Sequence, residues 1–217
     1  MFNLRLIIIL LVLVSCNTTN KQKSFDEDNL VQPVDFGEYH TLLDDGIKLF
    51  LPEGYKELSE SEILVFHENI KDEKTRYYYQ KSYEQRKYHN GNVYDFFIPE
   101  YAGEVVVVTM PYTPFDKSSA GQLLYLIRKG HEDYQGITGV VHNKVKSSYF
   151  GDRSIQVFKA IYTLDQSAKN TNDHAEEHVE IFKTVYLISS NNRTFMLNFL
   201  TPFDIDLDPF IRKIKFI

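Results

Sequence analysis

Between Val141 and Leu200 the chain reads as one strand after another, and the residues between the runs are turn formers. Val141 to Tyr149 leads into Gly151-Asp152, and Ser154 to Leu164 follows. A polar stretch at 165–177 precedes His178 to Ser189, and Asn191-Asn192 then turns into Thr194 to Leu200. Tight hairpins need positive φ, which Gly and Asn tolerate, so these pairs join antiparallel neighbours. A parallel pair would need a crossover of a dozen or more residues. The pattern therefore predicts an antiparallel meander. In its third strand Val179, Ile181, Val185 and Leu187 alternate with His178, Glu180, Thr184 and Tyr186, which predicts one wet face.

Upstream, Glu38 to Leu43 and Ile47 to Leu51 flank Asp44-Asp45-Gly46, another hairpin signal, and Pro52-Glu53-Gly54 ends the second run. Ser59 and Glu62 have capping-box spacing ahead of Ile63, Leu64 and Phe66, so a short helix is expected. Val93 to Ile98 and Val105 to Met110 read as strands, the second apolar on both faces and hence interior. Ala120, Leu124, Ile127, His131 and Tyr134 form one helical stripe. Ser118 or Ser119 is expected to cap this helix, Gly136 and Gly139 to close it, and Arg128–Glu132 and Lys129–Asp133 to pair on its outer side. Asp208 and Pro209 suit the start of a last helix, with Phe210, Ile214 and Ile217 on its core face. Sixteen Phe and fifteen Tyr supply core material. The expected class is α+β, one domain over residues 36–217 with an antiparallel sheet packed between helices.

Gly46-Ile47-Lys48-Leu49-Phe50-Leu51-Pro52-Glu53-Gly54-Tyr55, the helix Ser118 to Tyr134, the Gly151 hairpin and the ending Asn198 to Ile217 resemble the Mog1/PsbP-like family over about residues 38–217. That resemblance implies an α/β/α sandwich and roles in binding, assembly or scaffolding more than catalysis. The chain departs from the family in a tyrosine-rich segment at about 71–102, read as an insertion.

The N-terminus points to a compartment. Leu6 to Val14 is an apolar run behind Arg5, about half the length needed to span a bilayer as a helix. It has the flanks of a secretory signal. Leu13-Val14-Ser15-Cys16 resembles the lipobox of bacterial lipoproteins. Residues 1–15 are then a removed signal peptide and Cys16 carries covalent lipid. Residues 16–35, polar with acids at Asp26-Glu27-Asp28, form a flexible tether. Cys16 is the single cysteine, so the lipid consumes it and no disulfide or thiol chemistry is expected. Asn17 after it favours the outer membrane, facing the periplasm, with the cell surface as the alternative. A net charge of −6 with no long basic block argues against nucleic acid as a partner.

Three clusters invite chemistry. His174-Ala175-Glu176-Glu177-His178 matches H-x-x-E-H, whose two histidines hold zinc when they lie four apart on a helix. Here it follows a polar run and leads into a strand, and only Glu180, Asp204, Asp206 and Asp208 lie downstream as a third ligand. A solvated loop is the preferred reading. Tyr77, Tyr78, Tyr79, Tyr83 and Tyr88 could present a flat surface to a glycan or protein. The preferred reading places Tyr77, Tyr79 and Tyr83 on one strand face against the core. Asp204, Asp206 and Asp208 alternate as a Ca²⁺ site could, but the rest of an EF-type loop is missing. His131 is expected at the core edge with a backbone partner. Arg212, Lys213 and Lys215 suit a final helical turn. There is no G-x-S-x-G elbow, P-loop or G-x-G-x-x-G.

The expectation is a non-catalytic binding or accessory module of the cell envelope, with another envelope protein as partner. No cofactor is expected beyond the lipid on Cys16. The alternatives are a metal-dependent hydrolase using His174, Glu177 and His178, and a carbohydrate-binding module using the tyrosines.

Overall fold

The computed structural model describes residues 36–71, 73–86, 88, 90–101, 103–152, 154–165 and 181–217, the side chains at 74, 75 and 78 excepted. The signal peptide, Cys16, the tether and His174, Glu177 and His178 lie outside the described residues.

The opening hairpin forms as expected. Strands β1 (Gly37–Leu42) and β2 (Ile47–Pro52) pair around a 3-10 turn that ends at Gly46, whose φ of 61° a side chain would resist. A short β3 (Lys56–Glu57) precedes α1 (Glu60–Asn69). Its capping box is present: the Ser59 side chain accepts from the Glu62 backbone N–H, and the Glu62 carboxylate accepts from the Ser59 N–H at 2.8 Å. Then come α2 (Glu73–Arg86), β4 (Val93–Ile98), β5 (Gly103–Met110) and α3 (Ala120–Thr138). The closing meander is β6 (Val141–Gly151), β7 (Ile155–Asp165), β8 (Ile181–Ser190) and β9 (Arg193–Thr201), followed by α4 (Asp208–Ile211) and β10 (Lys215–Phe216).

The class is α+β. A seven-stranded antiparallel sheet has the order β3-β4-β5-β9-β8-β7-β6, and a small sheet has the order β1-β2-β10. Asn191 and Asn192 both take positive φ in the turn between β8 and β9. One face of the large sheet buries Val105, Val107, Val157, Tyr186, Phe195, Leu197 and Phe199 against Leu49, Phe50 and Leu51 of the small sheet and Phe210 and Ile211 of α4. Each fully buried Phe or Leu there contributes about 1.5–3 kcal/mol. The other face packs under α3: Phe158, Ala160, Tyr162 and Val185 meet Leu123, Leu124 and Ile127.

Several local expectations are corrected. The tyrosine-rich segment is helical, not a strand. Tyr79 and Tyr83 then lie four apart on one helix face, and both rings pack on His67 at 5.8 Å. Ser119 is the N-cap of α3, as expected, but its side chain makes no cap hydrogen bond; Asp116 caps the 3-10 turn just before it, accepting from the backbone N–H of both Ser118 and Ser119. The last helix stops after one turn. Lys215 and Phe216 leave it to pair with Lys48 and Ile47, so Ile217 is exposed rather than a core residue. Leu207, not Asp208, is its N-cap. Arg212, Lys213 and Lys215 are spent on rings instead of a helix end, lying over Phe150, Phe50 and Tyr39. Finally, β8 has no wet face, because Thr184 and Tyr186 are as buried as Val185; the sheet is covered on both sides.

Candidate functional site

The register of the large sheet lays out its helix-covered face in rows. One row runs Phe97, Glu104, Leu200, Lys183, Tyr162 across β4, β5, β9, β8 and β7. The next runs Asp95, Val106, Asn198, Val185, Ala160, and the third runs Val93, Val108, Met196, Leu187, Phe158. Alternation along each strand forces these side chains to one side.

Two helices cover the rows from different ends. α3 packs over β7 and β8. α2 is held near β4 and β5 by Arg86. Its guanidinium pairs with Asp95 and donates to Glu104 at 3.2 Å and to the Ser82 hydroxyl at 3.1 Å. Tyr79 of α2 and Tyr134 of α3 meet around Leu200. Between the helices, over β5, β9 and β8, a cavity of about 380 Å³ remains. That is within the size of small-molecule pockets. Val106, Val185 and Leu200 at its floor are buried, while Gln85, Leu126 and Gly130 at its rim are exposed.

Its charges are unequal in their partners. Asp95 and Glu104 are both buried, and burial raises the pKa of each carboxyl while Arg86 pulls it back down. Lys183 and Asn198 also line the cavity, and among the described residues neither side chain makes a hydrogen bond or ion pair. Burial, with Arg86 acting in the same direction and Glu104 against it, lowers the Lys183 ammonium to about 8. At neutral pH it remains a cation. His131 stands beside it on α3, its ring stacked on His142 at 3.9 Å and edge-on to Tyr162 at 4.5 Å. Its Nδ1 makes no hydrogen bond, so the expected backbone partner is absent at that nitrogen. Desolvation first, then repulsion from Lys183, holds His142 down to about 3 and His131 to about 2, so both are neutral.

The sequence candidates disperse. Tyr79 and Tyr83 turn inward, Tyr77 and Tyr88 are 42% and 87% exposed, and the Tyr78 side chain lies outside the described residues. Asp208 and Asp206 accept from the buried Lys159 ammonium at 2.7 and 3.4 Å, and Asp208 also accepts from the Tyr186 hydroxyl at 2.7 Å. An ammonium therefore occupies the place a Ca²⁺ reading would need. Among the described residues no group of three His, Cys, Asp or Glu side chains could hold a metal. Sequence reading missed Lys183 and Asn198. Their signal was available: Lys183 is the one charged residue in Ile181-Phe182-Lys183-Thr184-Val185, and Asn198 is a polar residue between Leu197 and Phe199.

No family model matches the chain, and no curated protein matches it. Among solved structures it is similar to cyanobacterial PsbP (CyanoP) from Synechocystis sp. PCC 6803, at 9% identity over 84% of this chain and 93% of that one, with a TM-score of 0.49. It is also similar to the Saccharomyces cerevisiae Ran-binding protein Mog1p, at 9% identity over 83% and 95%, with a TM-score of 0.46. These two carry the names of the family the sequence resembles. At such scores the architecture rests on strand order and register rather than on the likeness.

Proposed function

We propose that this chain is a lipid-anchored accessory module of the bacterial cell envelope that binds another envelope protein and is not an enzyme. The anchor is Cys16 within Leu13-Val14-Ser15-Cys16, and the outer membrane, facing the periplasm, is its place. The binding role is carried by the outer surface of the first two helices and the turn after the second, where Leu64, Val65, Tyr77 and Tyr88 are exposed. Tyrosines of this kind offer large, rigid, amphipathic contact area and are enriched among binding hot spots. Phe66 and Tyr79 meet edge to face at 5.6 Å between the helices, so Leu64, Val65 and Tyr77 sit on packed elements.

The test is crosslinking in cells that express the full chain, with Cys16→Ala and Tyr88→Ala alongside, followed by pull-down and mass spectrometry. One stoichiometric protein, weakened in both variants, supports the reading. No protein above background, or capture of a glycan instead, sinks it.

A further inference from the structure

The cavity between α2, α3 and the sheet has features that packing alone does not require. A residual gap in a core is normally apolar or filled. This one is floored by Val106, Val108, Leu187 and Met196 but also takes in the Lys183 ammonium and the Asn198 amide. Val185 pairs with Asn198 and Lys183 with Leu200, so Lys183 and Asn198 are diagonal neighbours on one sheet face. Their side chains can meet one group between them. Both side chains are half-buried on the cavity wall and, among the described residues, neither is tied to a protein partner, so both can turn to a ligand in the cavity.

We propose that the cavity is a binding site for a single-chain anionic amphiphile. The anionic head lies between Lys183 and Asn198, within reach of the neutral His131 ring, and the apolar tail covers Val106, Val108, Leu187 and Met196. Charge supports an anion. The two carboxylates nearby, Asp95 and Glu104, are both engaged by Arg86. Glu104 is separated from Lys183 by Leu200 in the same row, about 10 Å at two strand spacings. Shape supports a tail. A small free anion would leave the valine and leucine floor facing water, whereas an amphiphile covers it. The mouth is open between the helices, with Leu126 and Gly130 of α3 exposed at its edge. This site is independent of the protein-binding surface above.

The experiment uses the full chain in nanodiscs of neutral phosphatidylcholine. Three photoactivatable C12 probes carry a diazirine in the tail and end in a carboxylate, a phosphate or an alcohol. Crosslinked peptides are mapped by mass spectrometry. Two variants keep the fold testable. Lys183→Met removes the charge at similar size. Gly130→Phe blocks the mouth at a position where an added Cβ meets nothing within 4 Å, and it replaces a poor helix former. Thermal melting confirms that both fold. The expected result is labelling of peptides from α3, β8 and β9 by an anionic probe. It should fall about tenfold or more in Lys183→Met, as for a lost charge-assisted hydrogen bond, and also in Gly130→Phe. Carboxylate and phosphate probes together tell which head is preferred. Labelling only outside the cavity overturns the proposal. So does equal labelling by the alcohol, or labelling that survives in Lys183→Met.

Discussion

Lys159 and Lys183 stand on neighbouring strands of one sheet, each directly across from a tyrosine: Lys159 from Tyr186, and Lys183 from Tyr162. They point to opposite faces and meet opposite fates. The Lys159 ammonium lies over the Tyr186 ring at 5.4 Å and donates to Asp208 and Asp206. Those acids come from the chain just after β9, so the pair closes that face by fastening α4 to the sheet. Lys183 lines an open cavity, and among the described residues nothing accepts from it. One lysine is part of the scaffold; the other adds no bond to the fold. Fold stability should therefore depend on the first and be indifferent to the second.

The largest effect should come from Arg86, the cavity cation that is tied into ion pairs. Arg86→Met strands Asp95 and Glu104, both buried, and breaking a buried ion pair from one side costs about 3–5 kcal/mol. Chemical denaturation at pH 7 measures it. The sign of its pH dependence follows from the acids. Both have folded pKa values raised by burial, and loss of Arg86 raises them further. An acid whose pKa is raised on folding stabilises below its unfolded value and costs stability as pH rises. The gap between wild type and variant should thus narrow as pH falls toward 4. A gap independent of pH would show that Arg86 acts by packing alone. Asp208→Ala ranks next. It leaves Lys159 buried with only Asp206 at 3.4 Å and removes the acceptor of the Tyr186 hydroxyl. About 3 kcal/mol is expected, the low end for such a pair, because the Asp208 side chain keeps 28% exposure. A loss under about 0.5 kcal/mol would break the contrast between the two lysines.

What was legible in the sequence follows the range of the forces involved. The meander, the opening hairpin and the cap at Ser59 are encoded within a few residues, by Asn191-Asn192, Gly46 and Glu62, and all three form. The fate of Lys215 and Phe216 depends on β2, more than 160 residues earlier, and no local pattern announces it. The tyrosine segment misleads because aromatic residues have β propensity while its charges blur the helical period. The spacing of Tyr79 and Tyr83 was the usable clue. The site was harder still. Lys183 and Asn198 come from strands whose pairing sets them diagonally, so their partnership exists only in the register. Reading β8 as half wet passed over Lys183, since the sheet's second covering layer cannot be seen from one strand.

The smallest effect is the most discriminating. Lys183→Met should leave stability at pH 7 within about 0.5 kcal/mol of wild type or raise it, because no bond is broken and a desolvated cation is replaced by an apolar chain of similar volume. Lys159→Met, losing two carboxylate contacts, should cost more. The acid limb supplies a second reading of the same substitution. His131 and His142 are held well below the unfolded value of 6.5, first by desolvation and then by the charge on Lys183. A histidine kept neutral by the fold gives stability that is full above pH 6.5 and is lost as pH falls toward its folded value. Melting temperature should therefore decline from pH 6.5 to pH 4 in the wild type. Without Lys183 the ring pKa values rise toward 6.5 and the decline should be shallower. If Lys183→Met instead destabilises the protein at pH 7 as much as Asp208→Ala does, Lys183 belongs to the scaffold after all and the two faces are alike.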